Sequence, residues 1–213
     1  MNTDDLIRTL GTDVPPVRRG TLRRRILGGI VGGGLVSLLL IGWTLGFRPD
    51  LWIAMHGFAF WMKWIYTASI SLIAIAVTIR LARPDAAPSR LLWLLLVPIL
   101  LLAGLGIGEL AQKPARDWLA MWLGGSWKLC PWLVLMLSMP IFIGLLWSFR
   151  RLAPTRLRAT GAAAGLAAGA SAATLYCFHC DEVSALFVLT WYSLGILLAA
   201  GVGALVGPRF LRW

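Results

Sequence analysis

From residue 26 onward the chain is built of long apolar runs separated by short polar bands. The runs fall at about 26–47, 61–82, 91–109, 129–149, 159–177 and 183–207. A helix needs roughly 20 apolar residues to cross about 30 Å of hydrocarbon, and the runs have that length. Strands of a membrane barrel would alternate in runs of roughly ten residues, a pattern absent here. A helix satisfies its own backbone hydrogen bonds in lipid. The pattern predicts an all-α membrane protein with six transmembrane helices, residues 26–213, preceded by a polar segment, residues 1–25.

The polar opening reads MNTDDLIRTLGTDVPPVRRGTLRRR. Thr3 can cap a short helix, with Asp4 and Asp5 in its first turn, where the helix dipole favours negative charge. Leu6, Ile7 and Leu10 form one narrow apolar stripe, Gly11 is a stop signal, and Pro15-Pro16 ends any helix. One or two turns cannot hold themselves together in water, so this element is expected to need a partner.

Charge gives the orientation. With the N-terminus inside, the cytoplasmic bands carry Arg8, Arg18, Arg19, Arg23, Arg24, Arg25, Arg80, Arg83, Arg90, Arg150, Arg151, Arg156, Arg158, Arg209 and Arg212. Only Arg48, Lys63, Lys113, Arg116 and Lys128 remain for the other face, out of 20 basic residues in all. Positive residues stay on the cytoplasmic side of short loops, so both termini are expected in the cytosol. Composition agrees: 59% of residues are hydrophobic and 14% charged, where a soluble domain carries about a quarter. The net charge of +11 could suggest nucleic acid. The basic residues flank apolar runs instead of lining one face, and no direct nucleic-acid contact is expected.

Trp43, Trp52, Trp61, Trp64, Trp118, Trp122, Trp127 and Trp132 all fall near the expected outer boundary, as in an aromatic belt. Residues 115–127 are expected to lie on that surface as a short interfacial helix. Glycines spaced four apart let helix backbones approach closely. Gly28 with Gly32, Gly104 with Gly108, and Gly161 with Gly165 and Gly169 have that spacing. The Ala/Gly-rich fifth run is expected to be buried among the others.

The chemistry gathers in Tyr176-Cys177-Phe178-His179-Cys180-Asp181-Glu182, between the last two runs. Thiols, an imidazole and two carboxylates offer ligands for a thiophilic metal, and Cys177 with Cys180 has the spacing of a dithiol pair. By orientation this tip faces outward. Cys130, at the start of the fourth run, falls on the same face. A sensing or metal site is therefore expected from Cys130, Cys177, His179 and Cys180, with Cys130 and Cys180 as the candidate metal ligands. His56 is a further outer-side candidate. Glu109 closes the third run and reads as a snorkelling or paired surface charge. No arrangement for hydrolysis and no mid-span ligand path stands out, so no catalytic residue and no resident cofactor are expected.

Three stretches carry a family resemblance. They are TDDLIRTL with DVPPVRR (residues 3–10 and 13–19), RRLAPTRLRATGAAAGLAAGA (150–170) and HCDEVSALFVLTWYSLGILLAAGVGALVGPRFLRW (179–213). In their order and in the six-run layout the chain resembles the NrsF-like anti-sigma factors, negative regulators of extracytoplasmic-function sigma factors. The resemblance implies a bacterial inner-membrane protein in contact with lipid. Its cytoplasmic N-terminal segment would hold the sigma factor away from RNA polymerase, through Asp4, Asp5, Leu6, Ile7, Leu10, Val17 and Arg18. A stress signal, a heavy metal or an oxidant, would act on two outer-face cysteines, which match Cys130 and Cys180, and release it. A thiophilic metal ion would then be a transient signal. Cys177 departs from the family pattern. The thiols alone leave two other classes open, a membrane thiol-disulfide oxidoreductase and a small metal exporter.

Overall fold

A computed structural model describes residues 3–5, 20–83, 90–149 and 154–211. Among these residues there is no strand. Six long helices dominate: α1 (Thr21–Leu45), α2 (Phe58–Leu81), α3 (Arg90–Gln112), α4 (Cys130–Phe149), α5 (Leu157–Tyr176) and α6 (Ala185–Phe210). Each has 20 to 26 residues, or about 30 Å or more at 1.5 Å per residue. Five of them, all but α5, are long and apolar enough to cross a membrane. Helix α5 has the length, but Ala and Gly replace most of its large apolar side chains. Residues 3–5 are helical, and Leu6, Ile7, Leu10, Val17 and Arg18 lie outside the described residues.

Burial explains the composition of α5. It packs against α6, α2 and α4, and most of its length, from Thr160 to Tyr176, is buried. Small side chains let three neighbours close around it. Two pairs of backbones approach most closely. In the α5–α6 pair, Gly161 faces Gly203 and Gly207, Gly165 faces Ala199, and Gly169 faces Ile196. In the α1–α4 pair, Gly29 faces Gly144 and Gly33 faces Ile141. The Ser37 hydroxyl extends this second contact by donating to the Leu137 carbonyl at 2.8 Å.

The expected glycine pairs are only partly correct. Gly161, Gly165 and Gly169 pack as anticipated, but Gly28, Gly32, Gly104 and Gly108 face open space. On α1 the packing register is one residue later, at Gly29 and Gly33, and on α3 it is Gly106, set against Leu186. A run of adjacent glycines offers several four-residue registers, and spacing alone cannot choose among them.

The helices alternate in direction. At one end the Ser148 hydroxyl donates to the Arg25 carbonyl at 2.9 Å and Thr160 Oγ1 to the Leu81 carbonyl at 3.3 Å. This joins the start of α1 to the end of α4 and the end of α2 to the start of α5. The arginine clusters Arg23–Arg25, Arg80–Arg83 and Arg156–Arg158 belong to this end. The opposite end gathers the close of α1, α3 and α5 and the start of α2, α4 and α6. It also carries the surface helix, a tight turn at Ala115–Asp117 followed by Trp118–Leu123, within the interval expected for an interfacial helix. Trp191 on α6 fastens it, donating from Nε1 to the Trp122 carbonyl at 2.8 Å and packing on the Trp122 and Trp127 rings.

Candidate functional site: a buried thiol layer under a polar cup

The turn between α5 and α6 folds back over the bundle and brings the cysteines together. Cys177 is the residue that ends α5 and Cys130 is the first of α4. All three thiols are free, and their residues are 0% (Cys130), 0% (Cys177) and 3% (Cys180) exposed. They share one core cluster. The co-location expected from orientation is thus realised in space, and Cys177 belongs to the layer with the other two.

A lysine completes the layer. Lys63, at the start of α2, is fully buried, and its ammonium donates to the carbonyls of Cys180 at 2.9 Å and Glu182 at 2.6 Å. Burying a charge is costly unless it is hydrogen-bonded or paired, and no salt bridge involves Lys63 among the described residues. The charge pattern places Lys63 at the end opposite the arginine clusters and does not mark it as buried. The helical period held a contrary signal: Lys63, Tyr66, Thr67, Ile70 and Ala74 follow one face of α2 and all are buried. The Tyr192 hydroxyl enters the same space, beside the Cys177 and Cys180 thiols, and is buried without a hydrogen-bond partner among the described residues. Tyr192 sits in a wide turn of α6, Val188–Tyr192, and such turns often mark functional positions.

Three sets of polar contacts hold the turn in place. Arg48, just past α1, forks onto Asp50 with two 2.7 Å bonds and reaches the Cys180 carbonyl at 3.4 Å. That fork holds the Asp50 carboxyl below the usual carboxylate range and raises Arg48. The Arg48 amide also donates to the Phe178 carbonyl at 3.1 Å, and His179 Nδ1 donates to the Gly46 carbonyl at 2.8 Å. The Glu182 carboxylate accepts from the Gly125 and Ser126 amides at 2.6 and 3.0 Å and from the Ser126 hydroxyl at 3.1 Å, just before α4. Glu109 is no free surface charge: it takes the Ala185 amide at 2.9 Å and the Ser184 hydroxyl at 3.0 Å. It therefore caps the start of α6, where a carboxylate complements the helix dipole.

Above the thiols lies a cavity of about 500 Å³ whose walls include Arg48, Asp50, Ser126, Tyr176, His179, Cys180 and Asp181. Of the three cysteines, Cys180 alone lines it. His179 belongs to the wall and is tied to α1, whereas His56 is exposed and donates to the Trp52 carbonyl at 2.8 Å. Among the described residues no three of His, Cys, Asp and Glu converge as a three- or four-ligand metal site requires.

The thiol chemistry is quiescent. Burial pushes the Cys177 thiol up to about 12, with the Lys63 charge pulling the other way. Cys177 also sits at a helix C-terminus, where the dipole disfavours a thiolate, whereas reactive dithiol motifs use helix N-termini and low pKa values. Maleimide at pH 7 is expected to leave Cys177 unmodified in the folded protein and to react fully after denaturation in SDS. Peptide mapping by mass spectrometry checks this, and labelling of Cys177 within minutes in the folded state would refute it.

Fold and site together define an all-helical bundle, five of its helices long and apolar enough to cross a membrane, with a buried thiol layer at one end and arginine clusters at the other. A family profile described as "Negative regulator of sigma F" matches residues 10–213. The chain is 37% identical over 213 residues to the "Probable anti-sigma-F factor NrsF" of Azospira oryzae, and 38% identical over 218 residues to the "Anti-sigma-F factor NrsF" of Caulobacter vibrioides. Each alignment covers 100% of both chains. No solved structure matches it. The chain belongs to the NrsF family of negative regulators of sigma F.

Proposed function

We propose that this chain is an anti-sigma factor of the bacterial inner membrane whose six long helices all cross the bilayer, with both termini in the cytosol. Its N-terminal segment, residues 1–25, holds an extracytoplasmic-function sigma factor and releases it when Cys130 and Cys180 meet a thiophilic metal or an oxidant at the outer face. The observation that carries this reading is the connection made by α1. The outer end of α1 is bonded to the cysteine turn through Gly46–His179 and Arg48–Phe178. Its other end leads into the N-terminal segment. A change in the turn thus acts on the helix that bears the sigma-binding element, and α4, which begins at Cys130, lies against α1 along its glycine face.

The N-terminal stripe of Leu6, Ile7 and Leu10 suits a helical groove on a partner. Asp4, Asp5, Val17 and Arg18 flank that stripe and supply polar and apolar contacts around it. Signalling requires that the effector favour one arrangement of the bundle over the other by differential affinity. The oxidoreductase reading is less well supported, because the thiols are buried. The exporter reading has no mid-span ligands to rest on.

Deleting residues 1–20 should leave the protein inserted and abolish sigma-factor capture, read as recovery of the sigma factor with the detergent-solubilised protein. Undiminished capture by the truncated chain would discard the assignment of that segment. In the same assay, Cys130→Ser or Cys180→Ser should retain capture and no longer release the sigma factor on exposure to the inducer. Normal release in both single variants would exclude thiol sensing.

A further inference from the structure

A second cavity plays no part in the thiol site. It is a groove of about 920 Å³ between α2 and α3, and its walls are almost wholly apolar. We propose that this groove binds an isoprenoid quinone, with the quinone ring at the depth of Ser69 and the tail running toward Phe58 and Trp61. The inference rests on α2 and α3 crossing the membrane, as proposed above.

The groove exists because α3 is anchored near its two ends. Toward one end Gly106 sits against Leu186, and Glu109 takes the Ala185 amide at 2.9 Å. At the other end the tight turn Arg90–Leu95 packs on α2. Between them α3 stands off from α2, and it is the least buried of the five helices long and apolar enough to cross a membrane. Gly104 lines the gap and widens it, because a Cβ there would meet nothing within 4 Å. A gap left empty forfeits the dispersion contacts of its walls, so a molecule from the bilayer fills it. Its volume is that of a small-molecule site, about 300–1,000 Å³.

One polar group on the walls indicates which molecule. From α2 to α6 every other serine and threonine hydroxyl makes a hydrogen bond. Ser69 lines the groove and has no partner among the described residues. Thr67 and Thr78 on the same helix turn back to the carbonyl four residues earlier, at 3.0 and 2.8 Å; Ser69 does not. It lies midway along Phe58–Leu81, about 17 Å from either end at 1.5 Å per residue, and so near the bilayer midplane. No water is present at that depth to take its proton. Phospholipids hold their polar groups at the interface, and their acyl chains offer Ser69 no acceptor. The acceptor must come on a molecule whose polar part itself dissolves in hydrocarbon. A quinone ring is uncharged, carries carbonyl acceptors, and is flat enough for a slot between two helices. The groove also shares a wall with the thiol layer. Met62 and Tyr66 line it on either side of Lys63 in sequence, and the Tyr66 hydroxyl bonds to Ser193 at 2.6 Å, next to Tyr192. A quinone bound here bears on the helices that hold the thiols.

The test is photolabelling of the full-length protein in phosphatidylcholine vesicles by a short-chain azido-ubiquinone, with the labelled peptides mapped by mass spectrometry. Labelling should saturate, be displaced by unlabelled ubiquinone, and fall within residues 58–73 and 94–105, which carry the groove. Gly104→Leu fills the groove and should weaken binding by at least about tenfold. Ser69→Ala removes the donor and should weaken it about three- to tenfold. Gly108→Leu is the matched control. A Cβ there also meets nothing within 4 Å and Gly108 is not part of the groove, so binding should stay within about twofold of the parent. Labelling that does not saturate, displacement by oleate as effective as by ubiquinone, or equal binding by Gly104→Leu and Gly108→Leu would each overturn the proposal. So would a stable dimer that Gly104→Leu breaks, since a second copy would then fill the groove. Recovery of the protein from cells without detergent would instead remove the membrane reading on which the inference stands.

Discussion

Gly165→Leu is expected to cost at least about 3 kcal/mol and to prevent recovery of a monodisperse protein. A Cβ on Gly165 would fall on the carbonyl oxygen of Ala199, against backbone that has no rotamer to move aside. Overpacking a filled interior costs typically 1–3 kcal/mol, and more when the backbone must shift. Here α5 and α6 would have to separate along the Gly161–Gly169 face, and α5 is the helix on which α2 and α4 also pack. The matched control is Gly32→Leu. Gly32 meets nothing within 4 Å, so that variant should stay within about 0.5 kcal/mol of the parent. Thermal unfolding in detergent, followed by size-exclusion chromatography, reads both. Equal tolerance of the two substitutions would show that the close α5–α6 approach does not hold the bundle together.

Glu182→Ala is expected to free the cysteine turn from α4. The carboxylate takes three hydrogen bonds from Gly125 and Ser126, and charge-assisted bonds are worth about twice neutral ones. With partial exposure discounted, the loss is about 2 kcal/mol. The stability change is the smaller part of the expectation. Glu182 ties the turn bearing Cys177 and Cys180 to the residues just before Cys130, so its removal should loosen the thiol layer and speed maleimide labelling of Cys130 and Cys180 more than tenfold. Glu182→Gln, which keeps one acceptor oxygen, should fall between. Unchanged labelling in Glu182→Ala would mean that the lysine and arginine contacts alone hold the turn. Gly124 offers an independent check. It has a φ of +56°, and a Cβ there would strike the Glu182 carboxylate, so Gly124→Ala should reproduce the faster labelling.

The layout of helices was legible because hydrocarbon thickness sets a length and water excludes long apolar runs. The thiol layer was legible for a topological reason: alternation of the runs puts Cys130 and the Cys177–Cys180 turn at one end. Three features were not. Lys63 falls at the end opposite the arginines, and a lysine at the end of an apolar run is ordinarily exposed. Only its register on the buried face of α2 argued otherwise. Glu109 reads as a snorkelling or paired surface charge, and its partners, Ser184 and Ala185, could not be named because they are more than 70 residues away in sequence. The working glycines of α1 were misassigned by one position because GGIVGGG contains competing registers.

By itself the chain determined how many long apolar runs there are, where the arginines cluster, and which end of the bundle carries sulfur. These are one-dimensional quantities, set by length, hydropathy and sign of charge. Tertiary structure decided which residues of each helix face inward, and with that the pairing of Gly29 with Gly144, the burial of Lys63 among thiols and the capping of α6 by Glu109. Each depends on the rotation of one helix against another. Rotation follows from the sum of many close contacts over two surfaces, and no local spacing encodes it.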